Sequence, residues 1–227
     1  MSLELPLAFS SAEDASGLSE AARYLHGLLA EAAPGAEIVG IARRPGVLSK
    51  VAVRHGLIPG EVITRLREPL DGENVQVVQW QAQPRTYIAA ALGLQEVPPM
   101  VLKPAIRHAH VLLGEIDLRG MSGWRGINRL LASTLTGWRI HLEPIAETPA
   151  WRSLRLAQAQ RRAVDASVMG ASERGAILEV QGLHAILPGN AQTQELQVRI
   201  TRMDPDEGRI WVSDKLAETG QLRLPSN

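Results

Sequence analysis

Gly123-Trp124-Arg125-Gly126-Ile127-Asn128-Arg129-Leu130-Leu131-Ala132-Ser133-Thr134-Leu135-Thr136-Gly137-Trp138-Arg139-Ile140-His141-Leu142 decides how this chain is read, because a G-x-x-G loop, an amphipathic segment and an alternating segment follow one another without a break. Leu130, Leu131, Thr134 and Leu135 recur at helical spacing, which predicts a helix with those residues turned to a core. Thr136-Gly137 ends it, and Trp138 to Leu142 alternates as a strand. Glycines at 123 and 126 let the backbone approach a phosphate closely, and a helix starting at the second one aims its free N–H groups at the same anion. A bare G-x-x-G carries almost no information. Loop, helix and strand in this order carry a great deal.

Upstream, Ser16 to Ala33 reads as a helix with Leu18, Ala21, Ala22, Leu25, Leu28 and Leu29 on one face, closed by Pro34-Gly35. Two strands follow, 37–43 and 50–54, separated by the turn signal Arg44-Pro45-Gly46. A short helix over 60–68, a strand over 74–80 and a helix over 84–94 come next. From Val101 a second set of strand residues reaches Ala109 to Leu113, and Ile116 to Ser122 leads into the G-x-x-G loop. Helices and a three-stranded sheet around such a loop make up a KH module, which clamps the backbone of single-stranded RNA. The pattern predicts two of them in tandem.

The same phrases resemble, in register, the tandem KH modules of the NusA family of transcription termination/antitermination factors. In the second module the matching residues are Gly123, Gly126, Asn128, Leu131-Ala132 and Leu135 to Ile140. In the first they are Ile38 to Gly46, Ser49 to Val53, Gly72 to Trp80 and Pro84 to Leu92. The resemblance implies a binding site for single-stranded RNA at Gly123, Trp124, Arg125, Gly126, Asn128 and Arg129, with Arg119 beside it. Trp124 is the candidate for stacking on a base and Arg125 the candidate for a phosphate. One departure stands out. Arg54-His55-Gly56-Leu57-Ile58-Pro59 runs directly to Gly60, with no G-x-x-G and several residues fewer than the family's first loop, so the first module is expected to serve as scaffold.

After Glu147-Thr148-Pro149-Ala150, expected to be a linker, an Arg-rich helix is predicted from Trp151 to Arg162. The remainder shows five short strands, at 163–168, 175–180, 182–189, 196–202 and 208–213, which suit a small OB-type barrel. Gly175-Ala176, the phrase Gly182 to Gly189, and Val198 to Lys215 around Asp204-Pro205 resemble the RNA-binding repeat of the largest small-subunit ribosomal protein. That repeat exposes aromatic residues where this chain has Ile177 and His184. His184 and Trp211, with Arg199 in the fourth strand, remain as secondary RNA-binding candidates. The expected fold is therefore α+β: a leader and first KH module (1–98), a second KH module (99–145), a linker and helix (146–162), and the barrel (163–227). The family places its barrel ahead of the KH pair and adds an N-terminal polymerase-binding domain, for which this chain has no room.

Composition narrows the function classes. The chain of 227 residues has no cysteine, which excludes disulfides and thiolate metal sites and fits a reducing cytoplasm. Met1 to Pro6 lacks the start of an export signal and no run approaches the ~18 apolar residues of a membrane span, so a cytoplasmic protein away from membranes is expected. Formal net charge is zero, but residues 99–145 carry 6 Lys+Arg against 3 Asp+Glu, whereas residues 1–98 are net negative and residues 146–227 balance. Nearly every cation is arginine, suited to bidentate phosphate contact and stacking, and equally the result of a GC-rich genome. No catalytic fingerprint appears, so no enzyme and no cofactor are expected. His108 and His110 share a strand face, but without carboxylate or thiol partners nearby in sequence no metal site is expected. The expected function is RNA binding in transcription elongation, termination or antitermination. Open alternatives are a protein scaffold docking on RNA polymerase or the ribosome, and an rRNA assembly factor.

Overall fold

Ser19 accepts the Ala22 N–H on its hydroxyl at 3.3 Å and so caps helix α1 (Glu20–Ala32), whose Ala22, Leu25 and Leu29 are buried. The computed structural model describes residues 19–122, 126–191 and 193–215. It divides into two compact units, one of residues 1–111 and 117–142, the other of residues 112–116 and 143–227.

In the first unit, β1 (Ile38–Arg44) and β2 (Leu48–Val53) form an antiparallel hairpin, and β3 (Asn74–Gln79) lies parallel to β2 from Leu48↔Asn74 to Val53↔Gln79. Helix α2 (Gly60–Arg65) supplies the crossover between β2 and β3, and α3 (Pro84–Leu92) follows with Pro84 in its first turn and left-handed Gly93 closing it. Ile41, Val51, Val53, Val62, Leu66 and Val75 close over α1 to make the core of this module. A second three-stranded sheet, in the order β4 (Met100–Lys103), β5 (His108–Leu113) and β6 (Arg139–Pro144), carries α4 (Glu115–Ser122) and α5 (Ile127–Thr136) between its last two strands. Both are the α+β sheets expected of KH modules. The helical face of α5 differs from the expectation. Leu131, Ala132 and Thr136 are buried, whereas Leu130 is 58% exposed and Thr134 is exposed. At about 100° per residue the two inward stripes set by 128, 131, 132, 135 and 136 leave 130 and 134 on the far side.

The second unit is a closed barrel of five strands in the order β10 (Glu195–Asp204), β11 (Arg209–Ser213), β9 (Leu183–Leu187), β8 (Gly175–Val180), β7 (Val164–Ser172), with β7 returning to β10. The stretch expected to be a linker is structured: Thr148 is buried, its hydroxyl accepts the Trp151 N–H, and it caps α6 (Pro149–Ala159). Trp151, Leu154 and Ala157 of that helix join the barrel core. Gly175 is required by a φ of 130° and by the Leu187 carbonyl, into which a Cβ would run. Within the same unit the Glu115 and Ile116 N–H groups donate to the Pro205 and Asp206 carbonyls at 3.2 and 3.0 Å. Among the described residues, no helix is long and apolar enough to cross a membrane.

One buried charge organises the first module. Glu73 accepts from the Arg43 guanidinium (2.9–3.1 Å), from the Ser49 hydroxyl and from the Gly46 N–H, tying β1, the β1–β2 turn and β2 together just ahead of β3. Burial pushes this carboxyl up, but the donors from Arg43, Ser49 and Gly46 outweigh it and hold it below its ordinary value of 4.5. A group depressed in this way stabilises the fold above its ordinary pKa and stops doing so as pH falls through its folded value. Glu73→Gln should therefore lower unfolding free energy by about 3 kcal/mol at neutral pH, since it leaves the buried Arg43 poorly paired. In urea titrations the gap between wild type and variant should narrow below pH 4.5; a variant as stable as wild type at neutral pH would contradict this role.

Candidate nucleic-acid interface

Gly126 takes the left-handed conformation (φ 69°, ψ 17°) at the N-cap of α5, a conformation that favours glycine and that turns the chain sharply into the helix. It contributes no side-chain cap, and no acidic residue occupies the first turn. The first N–H groups of an α-helix have no partner within the helix, which is the physical basis on which a helix N-terminus can take an anion. Gly123, Trp124 and Arg125, the remaining loop candidates, lie outside the described residues. Of the neighbouring candidates, the Arg129 guanidinium donates to the Ile140 carbonyl at 3.0 Å, bracing the start of α5 against β6. Arg119 lies in the last turn of α4, on the other side of the loop.

Asn128 has a different place from the one its motif suggests. Its amide nitrogen donates to the Leu92 carbonyl at 3.1 Å and contacts the Met121 sulfur at 3.3 Å, and its amide oxygen is buried. Leu92 ends α3, so Asn128 satisfies one of the orphan carbonyls at the C-terminus of a helix in the first module. Tyr87 of α3 adds a bond to the Leu135 carbonyl at 3.4 Å, with burial pushing its phenol up, and a methyl of Leu135 sits 3.4 Å from where a Cβ of Gly40 would stand. Asn128, Tyr87, Leu135 and Gly40 thus join the two modules, and they set where the N-terminus of α5 points. Tyr87 and Gly40 carry no signal of this role in sequence, because the contact joins residues 48 and 95 positions apart.

The short loop of the first module is held close to Gly35 at Gly56, with Ile58 buried and Leu57 exposed. Gly56 has φ 78°, and a Cβ there would run into the Gly35 carbonyl oxygen, while the His55 carbonyl accepts the Glu37 N–H at 2.8 Å. Three cations of this module are already engaged. Arg43 holds Glu73, Arg54 pairs with Glu37 at 2.7 Å and lies over the Trp80 ring at 4.9 Å, and Lys50 is buried and donates to Gln76 at 2.6 Å. Burial pushes the Lys50 ammonium down to about 8.

On the barrel, His184 faces Glu179 in the β8–β9 register, Trp211 has the Arg202 guanidinium over its ring at 4.6 Å, and the Arg199 Nε is buried. The acidic turn Asp204 to Gly208 joins β10 to β11, with Asp204 accepting the Asp206 and Glu207 N–H groups, as a turn and not a metal loop.

Two KH-type sheets with a glycine-capped helix N-terminus in the second, followed by a five-stranded barrel, define the class of protein. Comparison with known proteins narrows it. The chain is 31% identical over 125 residues to the transcription termination/antitermination protein NusA of Mycobacterium tuberculosis, covering 50% of this chain and 36% of that protein. It is 29% identical over 125 residues to NusA of Bacillus subtilis (50% and 33%) and 34% identical over 118 residues to NusA of Thermus thermophilus (47% and 30%). Over about half its length the chain is a divergent relative of NusA, and it spans about a third of the length of these relatives. No protein-family model matches it. A solved structure described as "Crystal structure of APE1850" aligns with 53% of this chain and 96% of its own, at a TM-score of 0.39 and 21% identity. The likeness of the barrel to the ribosomal repeat is carried by its sequence phrases alone.

If the Asn128 amide caps α3, Asn128→Ala should lower the unfolding free energy by about 1–2 kcal/mol, the usual cost of leaving a buried carbonyl without its donor. Denaturant unfolding of the full chain checks this. An unchanged midpoint would place the residue outside the joint.

Proposed function

We propose that this chain binds the backbone of single-stranded RNA through the second-module loop, in transcription elongation, termination or antitermination. The observation that carries the reading is Gly126 in its left-handed conformation at a helix N-terminus free of acidic residues, in a net-positive module. Phosphate lies against Gly123 and Gly126, Arg125 and Arg129 add charge, and Arg119 flanks the strand. Asn128 acts from behind, by holding α5 in place. The expected division stands as a proposal: the tandem modules to residue 145 carry the RNA, and the barrel from residue 163 is auxiliary. The protein binds and does not catalyse, and it works in the cytoplasm, as a NusA-type factor would. RNA polymerase is the protein partner suggested by this family.

A second reading, a scaffold that docks on RNA polymerase or the ribosome with its RNA binding decayed, is favoured by the short first loop without G-x-x-G, its module's engaged cations and the covered face of Trp211. An rRNA assembly factor would use the same loop.

Gly123→Asp combined with Gly126→Asp separates these readings. Two carboxylates at the phosphate's approach should weaken binding of a single-stranded RNA by tenfold or more. Open space around Gly126 and the relative tolerance of Asp for left-handed backbone keep the fold intact, at a cost of about 1 kcal/mol. Unchanged affinity with a native circular dichroism spectrum would reject the loop. In wild type, log K against log salt should have a slope on the order of −2, at about −0.7 per phosphate; a slope beyond about −5 would demand a basic surface other than this loop.

A further inference from the structure

The outer side of the second sheet carries a group of donor side chains that RNA binding at the loop does not use. In β5, Ala109 and Val111 are fully buried, so His108 and His110 stand on the opposite side, with ring centroids 4.4 Å apart. In β6, buried Ile140 puts His141 and Glu143 on the side away from the core. The His141 ring meets His110 edge-on at 5.1 Å, and the donor atoms of His110, His141 and Glu143 all lie within 4.8 Å of one another. The sequence by itself points only to the His-x-His pair; neighbouring strands of one sheet supply the missing histidine and carboxylate.

We propose that His110, His141 and Glu143 form a binding site for a divalent first-row transition ion, with Zn²⁺ the foremost candidate. Two imidazoles and one carboxylate are a zinc donor set that leaves a fourth position open, whereas Mg²⁺ and Ca²⁺ select oxygen. Around a tetrahedral zinc with bonds of 2.0–2.1 Å the ligands stand about 3.4 Å apart, so the donors must close by about 1.4 Å at most. His141 is exposed and Glu143 half-buried, so side-chain rotation supplies that movement. Strand positions hold the three residues in register, which a set of loop residues would lack. The charges around the group choose the corner. Lys103 stands opposite His108 in the β4–β5 register and Arg139 acts on the same ring, so cations gather at the His108 end. Glu143 puts the negative charge at the other end, where the ion binds. The His108 ring packs against His110 at a 58° tilt and steadies it.

The site does not depend on the RNA reading, and its test is independent of RNA. Full-length protein freed of metal is titrated with Zn²⁺ against a chromophoric chelator, and with Co²⁺ followed by its visible absorption. One ion per chain with low-micromolar or tighter affinity is expected. His110→Ala and His141→Ala should each weaken binding about tenfold or more, Glu143→Gln should weaken it too, and His26→Ala should leave it unchanged. Imidazole NMR of the wild-type chain covers the case in which a variant does not fold: stoichiometric Zn²⁺ should shift His110 and His141 and not His26. Millimolar affinity, or binding that survives loss of both His110 and His141, or zinc shifts at other histidines only, would overturn the site.

Discussion

The bond from the Asn128 amide to the Leu92 carbonyl ties the helix after the G-x-x-G loop to the last helix of the first module. It runs from the first turn of one module's helix to the last turn of the other's, so it fixes the end of α5 that an anion would meet. Tyr87 and the packing of Leu135 over Gly40 repeat the link along α5. An anion site at a helix terminus is only as well placed as the helix is, and here the helix is positioned by residues that touch no ligand.

This arrangement gives the first module a purpose without an RNA loop of its own. Its short loop lies against Gly35, its Arg43, Arg54 and Lys50 serve Glu73, Glu37 and Gln76, and its last helix presents the carbonyl that Asn128 caps. Buried pairs such as Arg43–Glu73 add little net stability compared with apolar packing, but they penalise any alternative pairing of the strands around them. In the proposed RNA reading the first module is the support, and the net-positive second module presents the loop.

Much of the fold is legible in the amino-acid sequence alone. Strand alternation and glycine or proline stops locate the two sheets and the five barrel strands, because period and punctuation are local properties. The inward face of α5 is not legible in that way, since Leu130 and Leu135 look alike until the neighbouring module chooses a side. Asn128 reads as a ligand contact from its place beside G-x-x-G, yet its partner is 36 residues away. Thr148-Pro149 reads as a linker because the same residues that break a chain also cap a helix. The histidine and carboxylate of β6 are invisible as a group with His110 for the same reason: strand adjacency is not written in any one segment.

RNA bound at the N-terminus of α5, as proposed, can be located by ultraviolet crosslinking of the full chain to a single-stranded RNA, with the crosslinked peptides identified by mass spectrometry. Crosslinks are expected in the segment from Arg119 to Arg129, with the first-module loop from Arg54 to Gly60 unmodified. Crosslinks confined to the barrel strands, or to the first-module loop, would contradict it.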